Sequence, residues 1–236
     1  MNSSPMHRKL YEYVVEEIGL RIMRGDALPG DTLPNEDELC RQYGVSRGVL
    51  REATKVLTQK GLIRTQPKVG TRIQARENWN LFDADVLLWK LKEGDKLDFL
   101  KNVSEVRRII ESEAARYAAE RANQKEIDNI RTCYEQLAGT LADAARYDYD
   151  TYLESDMAFH TAILNACRNE LLAQIGYTMR QAVHTARKAD IHDIDTQRES
   201  LPFHLSMLEA IAAHDTEKAY QASQAMFKQV WKHLPV

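Results

Sequence analysis

The fold of the N-terminal part of this chain is decided by the stretch Tyr43-Gly-Val-Ser-Arg-Gly-Val-Leu-Arg-Glu-Ala53. Gly44 is typical of the end of one helix, and Ser46 is typical of the N-cap of the next. Arg47 and Arg51 are four residues apart, so they share one face of that second helix. The stretch therefore predicts a helix, a turn and a second helix that presents two guanidinium groups.

The sequence on both sides extends this pattern to a winged helix-turn-helix. Upstream, apolar residues recur every three or four positions and predict an amphipathic helix through Tyr11, Val14, Val15, Ile18 and Ile22. Asn35 and Glu38 have the spacing of a capping box at the start of a second helix. Downstream, residues 62–65 and 71–73 are β-like and are joined by a turn. We therefore predict three helices followed by a two-stranded wing.

The charge distribution indicates what this domain binds. Between Arg41 and Arg76 there are nine Lys or Arg residues and one acid, Glu52, although the whole chain has a net charge of −3. Residues 1–76 have a net charge of +4, which leaves −7 for the remainder. A basic block of this density is typical of a surface that meets phosphates, so we predict binding to double-stranded DNA.

Individual roles follow from side-chain chemistry. Arg47 and Arg51 lie in the first turns of the third helix, where an arginine can bind guanine O6 and N7 with two hydrogen bonds. The other predicted contacts to DNA are Ser46, Gly48, Lys55, Lys68, Gly70 and Thr71. The alternative is that Arg47 and Arg51 only solvate an exposed face, but the basic block, the cap and the wing favour DNA contact.

Several classes of protein are not indicated. Cys40, Cys133 and Cys167 are far apart and form no CxxC pair, so neither a zinc ribbon nor a disulfide framework is predicted. No apolar run approaches the roughly 20 residues of a membrane span, and the first residues do not resemble a signal peptide. We expect a cytoplasmic protein with no membrane partner.

Glycine and proline mark the domain boundaries. Seven of the ten glycines and four of the six prolines lie in residues 1–76, the predicted DNA-binding domain. Residues 77–96 contain Trp79 and Trp89 and are predicted to be an aromatic linker that packs on a surface. Residues 97–236 have helical apolar spacing and predict an all-α bundle with helices over 97–122, 124–145, 151–167, 169–188 and 202–233. The fold class is mainly α.

One constellation in the bundle could bind a metal. Asp156-Met-Ala-Phe-His160 places a carboxylate and an imidazole one helical turn apart, and such a pair can chelate zinc, nickel or manganese. His204 is the best third ligand. On spacing alone, a surface ion pair remains the alternative.

The N-terminal residues resemble a known family. Leu28-Pro-Gly-Asp-Thr-Leu-Pro-Asn-Glu-Asp-Glu-Leu39, the stretch quoted first, and Gly61-Leu-Ile63 with Gly70-Thr71 are similar to the GntR winged-helix signature. Arg47 and Arg51 match DNA-contacting positions of that family. Asp37 departs from it, because the family often has a DNA-contacting arginine there.

The C-terminal part resembles the FCD ligand-sensing domain of the FadR branch of that family. The similar stretches are Ser104-Glu-Val-Arg-Arg-Ile-Ile-Glu111, Ala114-Ala-Arg-Tyr-Ala-Ala-Glu-Arg121, Asp156 to His160, Asn169-Glu-Leu-Leu172 and His204 to Asp215. The resemblance implies a divalent metal, zinc before nickel or manganese, held by an aspartate and three histidines. Asp156, His160 and His204 match three of these ligands, but Met226 stands where the fourth is expected.

The same resemblance implies an effector. Arg107 matches an arginine that faces the effector cavity, with Glu111 as the alternative partner from the protein itself. Asn169, Arg180 and His184 are predicted to line the same cavity. The linker is similar to that of sugar-acid operon regulators, so the expected effector is a small carboxylate such as a hexonate or hexuronate.

The expected function is that of a homodimeric transcriptional regulator, and we expect a repressor rather than an enzyme. Two alternatives remain at this point. One is a metal-dependent hydrolase or lyase that uses Asp156, His160 and His204. The other is a DNA-binding dimer whose helical domain binds no effector.

Overall fold

The computed structural model describes residues 5–66, 69–94, 96–187 and 194–232. The chain forms two compact units, Met1–Lys96 and Leu97–Val236. Within the described residues, no helix has the length and apolar character that crossing a membrane requires.

The first unit has the predicted winged helix-turn-helix. Its elements are α1 (Pro5–Arg24), α2 (Glu36–Tyr43), α3 (Arg47–Gln59), β1 (Ile63–Gln66), β2 (Gly70–Ile73), a 3₁₀ turn (Arg76–Asn78) and α4 (Ala84–Glu93). The side chain of Asn35 accepts from the Glu38 backbone, and the Glu38 side chain accepts from the Asn35 backbone. β1 and β2 are antiparallel, with Ile63 opposite Ile73.

Helix α4 occupies part of the segment predicted to be a linker. It packs against α1, and Val86 and Trp89 are buried in the core of the first unit. A Cβ atom at Gly19 in α1 would lie 2.4 Å from the Trp89 ring, so the close approach of these helices requires glycine there. The structure thus makes this segment a part of the first unit.

A buried lysine fixes the start of α4. Lys60 Nζ lies 2.7 Å from Asp83 Oδ1 and 2.7 Å from Asp85 Oδ2. Burial would lower the pKa of Lys60, but its hydrogen bonds to both carboxylates outweigh this and raise it. Asp83 is also the N-cap of α4, so the same carboxylate begins the helix and holds the lysine.

The second unit is all helical among its described residues, as predicted. Its elements are α5 (Lys96–Arg121), α6 (Gln124–Thr140), a 3₁₀ turn (Ala144–Arg146), α7 (Tyr149–Ala166), α8 (Glu170–Arg187), α9 (Ile194–Arg198), α10 (Leu201–Ala212) and α11 (Thr216–Lys232). The segment 202–233, predicted as one helical stretch, is divided between α10 and α11. His214 has a φ of 55° at that break.

The core of the second unit includes buried residues of α5, α7 and α10. On α5, Ala114, Ala115, Ala118 and Ala119 are fully buried, so small side chains line the inner face of this helix. Phe159 of α7 and Ile211 of α10 fill the same core. A polar cluster lies next to these apolar residues.

Candidate metal and effector site and candidate DNA interface

Six polar side chains from four helices form what we call the buried polar cluster. They are Arg107 and Glu111 of α5, Asp156 and His160 of α7, Arg180 of α8, and His204 of α10. All except Asp156 are at most 6% exposed. Charges buried this deeply are costly unless they are paired, so the contacts within the cluster explain how it is tolerated.

Two guanidinium groups and two carboxylates pair within the cluster. Glu111 Oε1 lies 2.6 Å from Arg107 Nε, and Glu111 Oε2 lies 2.7 Å from Arg180 Nη1. Arg180 Nη2 lies 2.6 Å from Asp156 Oδ2. Burial alone would raise the pKa of Glu111, but Arg107 and Arg180 hold that pKa well below its usual range. Both carboxylates are therefore ionised, since burial is likewise outweighed for Asp156, mainly by Arg180.

The two histidines have fixed orientations. His204 Nδ1 lies 2.9 Å from the Ser200 carbonyl oxygen, which can only accept, so Nδ1 carries the proton. His160 Nδ1 lies 3.2 Å from Glu111 Oε2 and donates to it in the same way. Burial, followed by the charge of Arg180, lowers the pKa of His160 to about 4, so its ring is neutral at pH 7.

These orientations leave three ligand atoms facing one another. His160 Nε2 and His204 Nε2 are 3.2 Å apart, and His204 Nε2 is 3.2 Å from Asp156 Oδ1. All three potential ligand atoms lie within 4.8 Å of one another. Metal-binding histidines commonly donate Nδ1–H to a carboxylate or carbonyl group and bind the ion through Nε2. The predicted set Asp156, His160 and His204 therefore comes together in a form that fits a divalent cation.

The position of the missing fourth histidine is apolar. Met226 is 3% exposed and belongs to the hydrophobic core of this unit. A thioether is a soft ligand that suits zinc, nickel and manganese poorly. The donor set is therefore two nitrogens and one oxygen, and such a set leaves coordination positions for water or another ligand.

A small cavity that is partly open to solvent adjoins this cluster. Its lining residues are Arg107, Leu153, Asp156, Met157, Arg180, Val183 and His184. The structure thus brings together three of the four predicted effector residues. It does not bring Asn169 to this cavity, because the Asn169 side chain accepts from the Leu172 backbone at the start of α8.

Glu111 has more contacts in the structure than the sequence predicts. The spacing suggested only a possible pair with Arg107, whereas the structure shows contacts to Arg107, Arg180 and His160 at once. Those partners lie on three different helices, so no local pattern signals them. Ser200 was also missed, because a backbone carbonyl that orients a histidine leaves no trace in the sequence.

The candidate DNA interface lies on the exposed face of α3. Arg47, Arg51 and Lys55 follow one another at four-residue intervals, and their side chains are 65–71% exposed. The Ser46 hydroxyl accepts from the Val49 backbone and caps the helix. A Cβ atom at Gly48 would meet nothing closer than Ser46 Oγ at 3.8 Å. Packing within the protein does not explain this glycine, and its predicted close approach to DNA stays a prediction.

The wing supplies the remaining predicted contacts. Gly70 begins β2 with a φ of 97°, a conformation that favours glycine. Thr71 Oγ1 lies 3.1 Å from Thr65 Oγ1 across the two strands. Lys68, also predicted to contact DNA, lies outside the described residues.

Two acids of α2 contact the arginines of α3. Asp37 Oδ1 lies 2.7 Å from Arg47 Nη2 and 3.1 Å from Arg47 Nε. Glu36 Oε1 lies 2.8 Å from Arg51 Nε, and Glu36 Oε2 lies 3.5 Å from Arg51 Nη2. These pairs join residues ten and fifteen positions apart across the turn, so no local pattern in the sequence predicts them.

Comparison with known proteins agrees with both halves of this structure. Residues 10–73 match the family described as "Bacterial regulatory proteins, gntR family", and residues 102–229 match the FCD domain. The chain is 30% identical to the galactonate operon transcriptional repressor of Escherichia coli K12, over 94% of this chain and 95% of that protein. It is also 30% identical to the HTH-type transcriptional regulator YieP of the same strain, over 94% of each chain.

A solved structure shares the fold. The chain superposes on a GntR protein of Streptococcus agalactiae with a TM-score of 0.53 at 20% identity, over 94% of this chain and 99% of that one. The matched families and the relatives are transcriptional regulators and not enzymes. The chain therefore belongs to the GntR family of bacterial transcriptional regulators and consists of a winged helix-turn-helix domain and an FCD domain.

Proposed function

We propose that this regulator is a cytoplasmic repressor whose affinity for an operator is controlled by a small carboxylate, most simply a sugar acid. The effector binds in the cavity of the second unit, next to a divalent metal ion, with zinc as the first choice and nickel or manganese as alternatives. The observation that carries this proposal is the meeting of Asp156, His160 and His204 at the edge of a cavity that two arginines line.

The metal part of the proposal follows from the proton positions in the cluster. Both Nδ1 atoms are used as donors, so the Nε2 atoms of His160 and His204 face each other at 3.2 Å and are the ring atoms left for an ion. Asp156 Oδ1 adds a negative charge at the same point. A divalent cation bound by these three atoms would replace the proton that they can share without it. When bound, it would supply a Lewis-acid position for an oxygen of the effector.

The effector part follows from the donors that face the cavity. Arg180 is 3% exposed, and its Nε has no hydrogen-bond acceptor among the described residues. A buried donor without an acceptor costs about 1–3 kcal/mol, so an oxygen-bearing ligand would recover free energy there. Guanidinium groups also suit a carboxylate. The cavity is small, which favours a small effector over a drug-sized one.

The choice of a sugar acid has separate support. One of the two relatives at 30% identity is named as the repressor of a galactonate operon, and galactonate is a hydroxylated carboxylate. The half-buried His184 adds a polar group to the cavity wall, where it could contact a hydroxyl.

We propose that Arg47 and Arg51 read bases, and that Ser46, Gly48, Lys55, Lys68, Gly70 and Thr71 contact or approach the DNA backbone. We also propose a homodimer, because two winged helices can then read the half-sites of a pseudo-palindromic operator about one helical turn apart. Exposed apolar side chains on the second unit, such as Ile109 at 56% and Leu171 at 78%, are compatible with a further protein surface. Sedimentation equilibrium would measure the association state directly.

The coupling between effector and DNA is thermodynamic. An effector changes operator affinity only by the ratio of its affinities for the DNA-competent and DNA-incompetent states. If the effector relieves repression, the sugar acid must bind the DNA-incompetent state more tightly than the DNA-competent state. By reciprocity, operator DNA then weakens effector binding by the same factor.

The test uses the full chain and an operator selected from a pool of random duplexes. Fluorescence anisotropy would follow release of this operator on addition of a panel of aldonates and uronates, with added zinc or with a chelator. We expect at least one sugar acid to weaken operator binding only when metal is present. His160→Ala should lose this response and the bound metal but keep DNA binding.

His214→Ala is the matched control, because His214 contacts the Ala119 carbonyl and lies apart from the three ligand atoms. It should keep both the metal and the response. If elemental analysis finds the same metal content in His160→Ala as in the unmodified protein, the proposed metal site is wrong. If no member of the panel changes operator affinity, the sugar-acid proposal is wrong.

A second candidate is supported by one observation. The arginines and carboxylates of the cluster already balance each other through three short contacts. A bundle that needs no ligand to remain folded would also suit a DNA-binding dimer without an effector. The same experiment separates the two, because this alternative predicts no metal-dependent response.

A further inference from the structure

We infer that Asp37 is a specificity-determining residue of the DNA interface, which orients Arg47 for guanine and weakens binding to unselected DNA. This inference rests on the proposed readout of bases by Arg47. Asp37 lies beside the recognition helix α3, where a negative charge by itself would only lower the affinity for DNA by repelling phosphates.

The contact geometry leaves the reading edge of the arginine available. A guanidinium group has one edge formed by Nε and Nη2 and another formed by Nη1 and Nη2. Asp37 Oδ1 engages the first edge, at 3.1 Å from Nε and 2.7 Å from Nη2. The second edge can still donate two parallel hydrogen bonds, as guanine O6 and N7 require.

The neighbouring arginine is held by the same edge. Glu36 accepts from Nε of Arg51 at 2.8 Å, with Nη2 at 3.5 Å. Both acids lie in the first turn of α2, and both arginines lie in the first two turns of α3. The arrangement therefore occurs twice, which supports a shared role in presenting the arginines of α3.

These pairs contribute little to folding. Arg47 and Asp37 are 65% and 63% exposed, and ion pairs this exposed have a small effect on stability. Their effect is on recognition, because a held arginine loses less conformational freedom when it binds a base. An acid close to the DNA backbone also repels phosphates at every site, whatever the sequence.

The two effects change discrimination in the same direction. Asp37 lowers the affinity for all duplexes through repulsion, and it restores affinity only where a guanine meets the oriented Arg47. Specificity is a difference between two affinities, so a group that weakens the competitor more than the target increases it.

The experiment compares full-length variants on two probes. One probe is the duplex selected from a random pool by the unmodified protein, together with versions substituted at each guanine. The other is a mixed-sequence duplex titrated at several salt concentrations. The variants are Asp37→Ala, Asp37→Asn, Arg47→Ala, Arg47→Lys and Glu52→Ala.

Glu52→Ala is the charge-matched control. It removes one acid from the recognition helix itself, where Glu52 Oε1 lies 3.3 Å from Lys55 Nζ. We expect both Glu52→Ala and Asp37→Ala to bind the mixed-sequence duplex several-fold more tightly. Only Asp37→Ala should also lose about tenfold in preference for guanine at one position. Asp37→Asn, which keeps an acceptor oxygen, should recover part of that preference.

A double-mutant cycle completes the test. Lysine has no planar guanidinium group that Asp37 could orient. In the Arg47→Lys background, adding Asp37→Ala should therefore cause no further loss of guanine preference. The inference is overturned if Asp37→Ala tightens binding to all duplexes equally and leaves the base preference intact. If Arg47→Ala itself leaves every base preference unchanged, the proposed readout by Arg47 fails, and the inference fails with it.

Discussion

Replacing Arg180 by methionine should destabilise the metal-free protein strongly and make its stability depend on metal. Arg180 is 3% exposed and contacts two carboxylates, Glu111 at 2.7 Å and Asp156 at 2.6 Å. Methionine has a similar length and no charge, so the substitution leaves both acids without this partner. Glu111 keeps its contact with Arg107, whereas among the described residues Asp156 keeps only its contacts with His160 and His204.

The expected magnitude comes from the burial of this pair. Removing one member of a buried ion pair costs about 3–5 kcal/mol, because the remaining charge stays in a poorly solvated place. For a unit of this size, one kcal/mol lowers the melting temperature by a few degrees. We therefore expect a loss of about 10–15 °C in the presence of a chelator. Zinc should raise the melting temperature of Arg180→Met more than that of the unmodified protein, since the cation then neutralises Asp156 without repulsion from a guanidinium group.

Differential scanning calorimetry of the full chain, with chelator and with zinc, measures both effects. Arg146→Met is the matched control, because Arg146 belongs to the same unit but is 88% exposed, with Asp143 at 3.6 Å. Its melting temperature should change by less than about 2 °C. The reasoning would be refuted by an Arg180→Met variant that melts within that margin of the unmodified protein in chelator.

Three further outcomes are expected. Ser46→Ala removes the N-cap of α3 and should lower stability by about 1 kcal/mol in urea unfolding, whereas an unchanged midpoint would mean that the cap is dispensable. Lys60→Met removes a buried ammonium group that contacts Asp83 and Asp85, and it should lower the free energy of unfolding by about 2 kcal/mol. Urea unfolding followed by tryptophan fluorescence measures this, and a loss below about 0.5 kcal/mol would mean that these contacts do not stabilise the first unit. In chelator, His160 takes up a proton near pH 6.5 when unfolded but only near pH 4 when folded, so stability should be full above pH 6.5 and about 2 kcal/mol lower at pH 5. His160→Gln should flatten that pH dependence, and an equally steep profile would assign it to other groups.

In the first unit, the sequence predicted those features that depend only on neighbouring residues. Ser46, Asn35 and Glu38 cap their helices as the spacing predicted, because a cap involves only residues within one turn. The segment around Trp89 shows the limit of this reasoning. Its composition indicated packing, but its partner Gly19 lies seventy residues away, and no periodicity links the two.

In the candidate metal site too, the sequence predicted features that depend on local spacing but not those that depend on helix packing. The i to i+4 spacing of Asp156 and His160 predicted two ligands on one face with His204 as the best third ligand, and the family resemblance supported all three. The contacts of Glu111 depend on how α5, α7 and α8 pack together, and burial rather than spacing decides them. The Asn169 side chain accepts from the Leu172 backbone at the start of α8, and its role in effector binding stays a prediction.

The charges of the buried polar cluster connect the metal to the nature of the effector. Arg107 and Arg180 carry two positive charges, and Glu111 and Asp156 carry two negative charges, so these four side chains balance one another. A divalent ion at Asp156 would leave an excess of two positive charges in a poorly solvated place, a state that is costly without anions. An effector carboxylate and the oxygen ligands that accompany it would reduce this excess. A fourth histidine in place of Met226 would add a ligand but no negative charge, so its absence leaves an open coordination position without changing the demand for an anion. Metal and carboxylate should therefore bind cooperatively, and this favours an acidic sugar over a neutral one.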